Sequence, residues 1–184
     1  MRRHRGFTLI ELGVVILVLG LAATVVFPRL NVAGLERMRL RAGADRLADI
    51  AAFARNRAEC TRQTQVLYLD LDSGTYWVKP QNARPDQQDT EPRIEGRLPA
   101  DVKFLDVQIP GTHEASGGSV VKLRFSPEGW ADTAAIHVGC TCGEVATVVI
   151  TALCGGVHAL DGRVEMNSNG EIHDASANAA SSIE

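Results

Sequence analysis

Gly6-Phe7-Thr8-Leu9-Ile10-Glu11 opens an apolar run that continues to Phe27, and Glu11 is its only charged residue. The twenty-one residues from Phe7 to Phe27, in a helix rising about 1.5 Å each, reach roughly 30 Å, the thickness of a bilayer hydrocarbon core. Arg2, Arg3 and Arg5 precede the run with no acid among them. That asymmetry predicts a single-pass span with its N-terminus in the cytoplasm and the body exported. A secretory signal peptide also begins basic and turns apolar, but this run is long for one and no small-x-small cleavage site follows Val26. Glu11 argues the same way. A carboxylate inside an apolar span costs about 2.5–3.5 kcal/mol on insertion scales, and a plain anchor gains nothing from carrying it.

The string Gly6 to Glu11, behind a short basic leader and ahead of an apolar run, resembles the type III signal of type IV pilins and type II secretion pseudopilins. The resemblance implies that a prepilin peptidase cuts after Gly6 and that Phe7, the new N-terminus, is N-methylated. Glu11 is then the assembly residue, and Pro28 stands where this family carries a helix-kinking proline.

Outward from this signal the charge is uneven. Residues 29–65 hold eight Arg against Glu36, Asp45, Asp49 and Glu59, whereas residues 66–184 hold eight Lys or Arg against seventeen acids. The chain reads as a leader (1–6), a transmembrane helix segment (7–28), an amphipathic helix (29–65), a β-rich body (66–169) and a polar tail (170–184). Leu40, Ala44, Leu47, Ile50, Ala51, Ala54 and Ala58 recur on helical spacings, so the helix reaches about Gln63 with its arginines on the wet face. Leu40, Leu47, Ile50 and Phe53 are the expected helix contribution to the core. Pro28 lacks a backbone donor, so a kink or short break is expected there.

The periodicity then switches to two. Val66–Asp72, a Ser73-Gly74 turn and Thr75–Lys79 read as a hairpin. Residues 80–97 read as an exposed loop and 110–119 as a Gly- and Ser-rich turn. Strands are expected over 102–105, 107–109, 120–125, 134–138, 145–152, 156–160 and 164–166. One long helix followed by short strands is α+β: a long N-terminal helix packed on an antiparallel sheet. The body also resembles the GspH/FimT branch of the pseudopilins, through the Ala- and Arg-rich helix, the hairpin after it, Leu98-Pro99 and Phe125-Ser126-Pro127-Glu128-Gly129.

Cys60, Cys140, Cys142 and Cys154 are candidates for disulfides in an exported body. In a strand Cys140 and Cys142 share a face and are not expected to bond each other. Cys142 with Cys154 and Cys60 with Cys140 are the pairings considered, and sequence alone does not choose among the three connectivities. A metal site from Cys140, Cys142, Cys154 and His137 or His158 has a thiolate spacing of one, against two to four in structural zinc sites, so no metal is expected. His4, His113 and His173 are scattered. Asp161, Glu165, Glu171 and Asp174 are too widely spaced for a calcium loop.

No HExxH, G-x-S-x-G, Walker or dinucleotide motif is present, so neither an enzyme nor a cofactor is expected. The resemblance implies a minor pseudopilin near the tip of a periplasmic filament that drives protein export. Its partners would be other pseudopilins or pilins, the prepilin peptidase, the inner-membrane assembly platform and the membrane itself. The alternative is a minor type IV pilin serving pilus assembly, adhesion or DNA uptake. The acidic body, with no Lys or Arg beyond Arg163, argues against nucleic acid as a partner.

Overall fold

The computed structural model describes residues 9–82, 94–110, 115–116, 120–152, 156–167 and 172–174, with side chains at 23–33, 115–116 and 172–174 left aside. Its contacts divide the chain into two units, Met1–Leu35 and Glu36–Glu184. One helix, α1 (Leu9–Thr61), contributes to both. It is helical without interruption through Pro28, so the expected short break is not found. In the first unit, Leu9 and the apolar side chains from Ile10 to Leu21 are exposed.

In the second unit the buried face of α1 is Leu40, Ala44, Leu47, Ala51, Ala54 and Ala58, alternating steps of four and three. Four alanines in that seam bring the helix backbone close to the strands. Phe53 lies on the far side and is 37% exposed, which corrects its expected core role. Six residues at about 100° each carry it well away from Leu47 around the helix axis. Ile50, at the seam's edge, is half-buried against the core. The helix ends at Thr61 rather than near Gln63, and Arg62 adopts the left-handed conformation (φ 54°) that closes helix C-termini.

The strands are β1 (Gln65–Asp70), β2 (Thr75–Pro80), β3 (Ile94–Arg97), β4 (Val102–Gln108), β5 (Ala115–Ser116), β6 (Val120–Phe125), β7 (Ala134–Cys140), β8 (Val145–Ile150), β9 (Val157–Asp161), β10 (Val164–Met166) and β11 (Ile172–Asp174). They form antiparallel sheets of order β3-β2-β1-β6 and β5-β4-β7-β8-β9, with β10-β11 as a separate ribbon. This is the expected α+β architecture, a long N-terminal helix on antiparallel sheet. β3 falls within the expected loop 80–97, β5 within the expected turn 110–119 and β11 within the expected tail 170–184. Each is short or polar, and pairing with a neighbour, not its own periodicity, makes it a strand.

The β1–β2 hairpin turns as read. Asp70 accepts hydrogen bonds from the backbone N–H groups of Asp72 (3.1 Å) and Ser73 (3.2 Å), and Gly74 supplies the positive φ of 66°. On the outer face Tyr68 stacks on Trp77 with ring centroids 5.5 Å apart, and Lys122 lies 5.7 Å from the Tyr68 centroid. The inner faces supply Leu67, Leu69, Tyr76, Leu123, Phe125, Ile136, Val138, Val148 and Ile150 to one core with the α1 seam.

Arg37, Arg39, Arg41 and Arg46 of α1 are exposed, as expected, yet three of them reach the sheets. Arg37 pairs with Glu144 (2.5 Å), Arg39 with Asp101, and Arg41 with Asp161 (3.4 Å). Their side chains are 50–70% exposed, so each pair is worth about 0–1 kcal/mol. They orient the helix more than they hold it.

Candidate assembly site and the polar groups of the body

Glu11 sits in the first turn of α1, and the apolar side chains around it, Leu9, Ile10, Leu12, Val14 and Val15, are between 46% and 90% exposed. Such a contiguous apolar surface requires lipid or other helices to cover it. Gly6 and Phe7, the expected processing pair, lie outside the described residues. Among the described residues no helix is long and apolar enough to cross a membrane. The apolar run in the sequence starts before the first described residue, and its side chains beyond Ala22 are also outside the description.

The cysteines depart from expectation. Cys140 and Cys142 form a disulfide, with Cα atoms 5.2 Å apart. β7 ends at Cys140, so the two cysteines do not share the face of a strand. A two-residue step in extended chain spans about 6.6 Å. Here Thr141, Cys142 and Gly143 form a turn instead, with Gly143 at φ 85° and its N–H donating to the Cys140 carbonyl at 3.1 Å. Cys60 is exposed and free, so it does not pair with Cys140. Cys154 lies outside the described residues. His158 is exposed on β9, and His137 is wholly engaged elsewhere. His4 and His113 lie outside the described residues, as does the side chain of His173.

His137 is the centre of a buried network that sequence reading missed. It has no exposed surface, and its Nε2 donates to the Val164 carbonyl at 2.8 Å. A carbonyl only accepts, so Nε2 carries a proton. Nδ1 meets Asp106 Oδ2 at 3.0 Å, and Arg163 Nη2 donates to the same oxygen at 3.3 Å. Thr147 Oγ1 donates to the Gly162 carbonyl (2.7 Å) and accepts from Val164 N–H (3.1 Å), and Gln108 Oε1 accepts from Met166 N–H (3.2 Å). Together these bonds fasten the strand β10 to the five-stranded sheet. With both ring nitrogens bonded and no access to solvent, His137 has no free valence for acid–base chemistry on a substrate.

Asp106 reaches this site through a register irregularity in β4. Phe104 pairs with Val138 and Asp106 with His137, leaving Leu105 as the extra residue. The bulge places Asp106 on the face of His137, while Val107 pairs with Ile136 on the core face.

Two further side chains respond to their surroundings. Burial pushes the Tyr76 phenol above its ordinary value, opposed by the charge of Arg46. Hydrogen bonds from the Ser73 backbone and side chain, and then the Asp72 backbone, hold the Asp70 carboxyl below the usual carboxylate value.

A family model for the prokaryotic N-terminal methylation motif matches residues 1–27. Two solved structures of the minor pseudopilin EpsH from the type II secretion system of Vibrio cholerae share the fold. Each has a TM-score of 0.54 and 12% identity, with coverage of 67% and 68% of this chain and 96% and 95% of theirs. No curated protein matches by sequence. By its N-terminal methylation motif and the fold of its body, this chain is similar to type IV pilin-like proteins, with the fold of the minor pseudopilin EpsH.

Proposed function

We propose that the protein is a non-enzymatic structural subunit, a minor pseudopilin of a type II secretion system, at or near the tip of a periplasmic filament. The prepilin peptidase cuts after Gly6, Phe7 becomes the methylated N-terminus, and the span holds the subunit in the inner membrane until the assembly platform draws it into the filament. The body faces the periplasm. One observation carries the reading: Glu11 stands four residues after Phe7, on a helix whose apolar side chains from Leu9 to Leu21 lie bare. A carboxylate and an apolar collar on one helix suit a place among other such helices, where the collar is covered and the charge is matched. The body supports the reading by its likeness to EpsH, and His137, fully bonded and buried, supports a non-enzymatic role.

Intact-mass measurement of protein extracted from membranes tests it. The expected species lacks residues 1–6 and carries one added methyl group. A mature N-terminus between Ala22 and Gly34 overturns it.

A further inference from the structure

The Cys140–Cys142 disulfide joins no two elements of the fold. It closes a loop of three residues within the β7–β8 turn, and so short a loop removes little entropy from the unfolded chain. Its surroundings point elsewhere. A carboxylate oxygen of Glu36, on α1, and the sulfurs of Cys140 and Cys142 all lie within 4.8 Å of one another, and all three residues are half-buried. The neighbouring charges are otherwise matched, since Arg37 pairs with Glu144 of the same turn. Glu36 forms no ion pair among the described residues. A carboxylate held against two sulfurs gains nothing from a disulfide and would repel two thiolates.

A cation resolves that conflict. We propose that the turn and the helix form a redox-gated site for a soft divalent cation of the zinc class, closed while the disulfide stands and open when it is reduced. A dithiol of the reductase class supplies two electrons and two protons, the S–S bond breaks, and the dithiol becomes a disulfide. The two thiols then release their protons to water as the ion binds. Two thiolates and one carboxylate are the hard-and-soft mixture that such an ion accepts, with a fourth position left to water. The thiolate spacing of one, narrow for a structural zinc site in a strand, is accommodated here because the residues lie on a turn and the third ligand comes from another element. Bound, the ion ties α1 to the β7–β8 turn, a link that the disulfide does not make. The inference holds whichever filament the subunit joins.

Cadmium titration of the full chain in detergent, carrying Cys60→Ser and Cys154→Ser and reduced with a phosphine that does not chelate, tests it. The ultraviolet thiolate-to-metal absorption should saturate at one equivalent, and the oxidised protein should show none. Cys142→Ser should abolish the signal. Glu36→Gln should weaken binding at least tenfold, the order of loss seen for metal-site partners. The absorption difference between the reduced four-cysteine chain and its Cys140→Ser/Cys142→Ser variant reads the same site if the serine background fails to fold. No saturable band, equal binding by oxidised protein, or unchanged affinity in Glu36→Gln overturns the proposal.

Discussion

Asp106 Oδ2 lies 3.0 Å from His137 Nδ1, inside the sheet and 31 residues away in sequence, while the other ring nitrogen is bonded to Val164. The pair joins β4 to β7, and through Val164 and Arg163 to β10. Its members depend on one another. Without the carboxylate, His137 keeps a buried nitrogen with no partner and Arg163 loses its acceptor.

Asp106→Ala is therefore expected to destabilise the body by about 3 kcal/mol, in the range for breaking one side of a buried pair. Asp106→Asn should cost clearly less. Its amide N–H can donate to Nδ1 of a neutral imidazole, while Nε2–H still donates to Val164. Denaturant unfolding of the two variants distinguishes these cases. Equal losses would mean that packing, not the hydrogen-bonded pair, matters at this position.

The path to that pair shows where sequence reading succeeds and where it stops. The α1 seam from Leu40 to Ala58 was legible because helical periodicity follows from local geometry, and the β1–β2 hairpin because Ser73-Gly74 marks its turn. Phe53 is large and apolar, but its angular position on the helix excludes it from the seam. Asp106 was not legible, since a bulge changes the facing of every residue on one side of it and leaves no mark in the alternation. The Cys140–Cys142 bond was misread for a related reason: facing was argued from a strand that had already ended. Glu11 stands out in the sequence because a lone charge in an apolar run has few structural explanations.

Gly96 of β3 lies opposite Tyr76 of β2, and a Cβ placed there would come within 2.1 Å of the Tyr76 ring. The ring is 1% exposed and packed edge-on against Phe104, so it cannot swing aside. Gly96→Ala should destabilise by about 1–3 kcal/mol, the usual cost of overpacking. Tyr76→Leu in the same chain should recover part of that loss. A thermal melt of Gly96→Ala unchanged from the parent would show that β3 can shift away.

Tyr76 also sets an alkaline limit. Its phenol is raised above the ordinary value of 10.0 by burial. Above that value the unfolded chain has lost the proton while the folded one retains it, so stability is fully present below about pH 10 and falls as pH rises further. Among the described residues the Tyr76 hydroxyl has no hydrogen-bond partner, so Tyr76→Phe should leave neutral stability near the parent's and blunt the alkaline fall. Asp70 acts at the other end. Its carboxyl is held below 3.8, so its contribution is present above that value and is lost as pH falls through its folded value. Asp70→Asn should flatten the acid limb alone. Unfolding followed from pH 3 to 11 reads both, and parallel curves for parent and variants would remove these two groups as the cause.

Glu11 carries the proposed assembly step, and its energetics give the sharpest contrast. Cleavage after Gly6 would create an α-amine at Phe7, which is largely cationic near neutral pH. Among packed apolar helices a Glu11 carboxylate and a neighbour's Phe7 amine are strongly favoured as a pair, because either charge buried alone is heavily penalised. The pair also fixes axial register, which apolar packing leaves loose. Processing would then license assembly by supplying the partner that makes Glu11 tolerable. Glu11→Ala is expected to leave membrane insertion and cleavage intact while reducing incorporation into the filament. Glu11→Leu should insert more favourably still, by about 2.5–3.5 kcal/mol on insertion scales, and assemble no better. Crosslinking to the other filament subunits in cells, scored beside the processed fraction, reads both steps at once. If a carboxylate near the membrane surface were merely tolerated, both variants would assemble normally, and that result would sink the pairing. A subunit at the tip has no neighbour above it, so its own Phe7 or its own Glu11 goes unmatched, and a partial loss would favour tip placement over a place within the shaft.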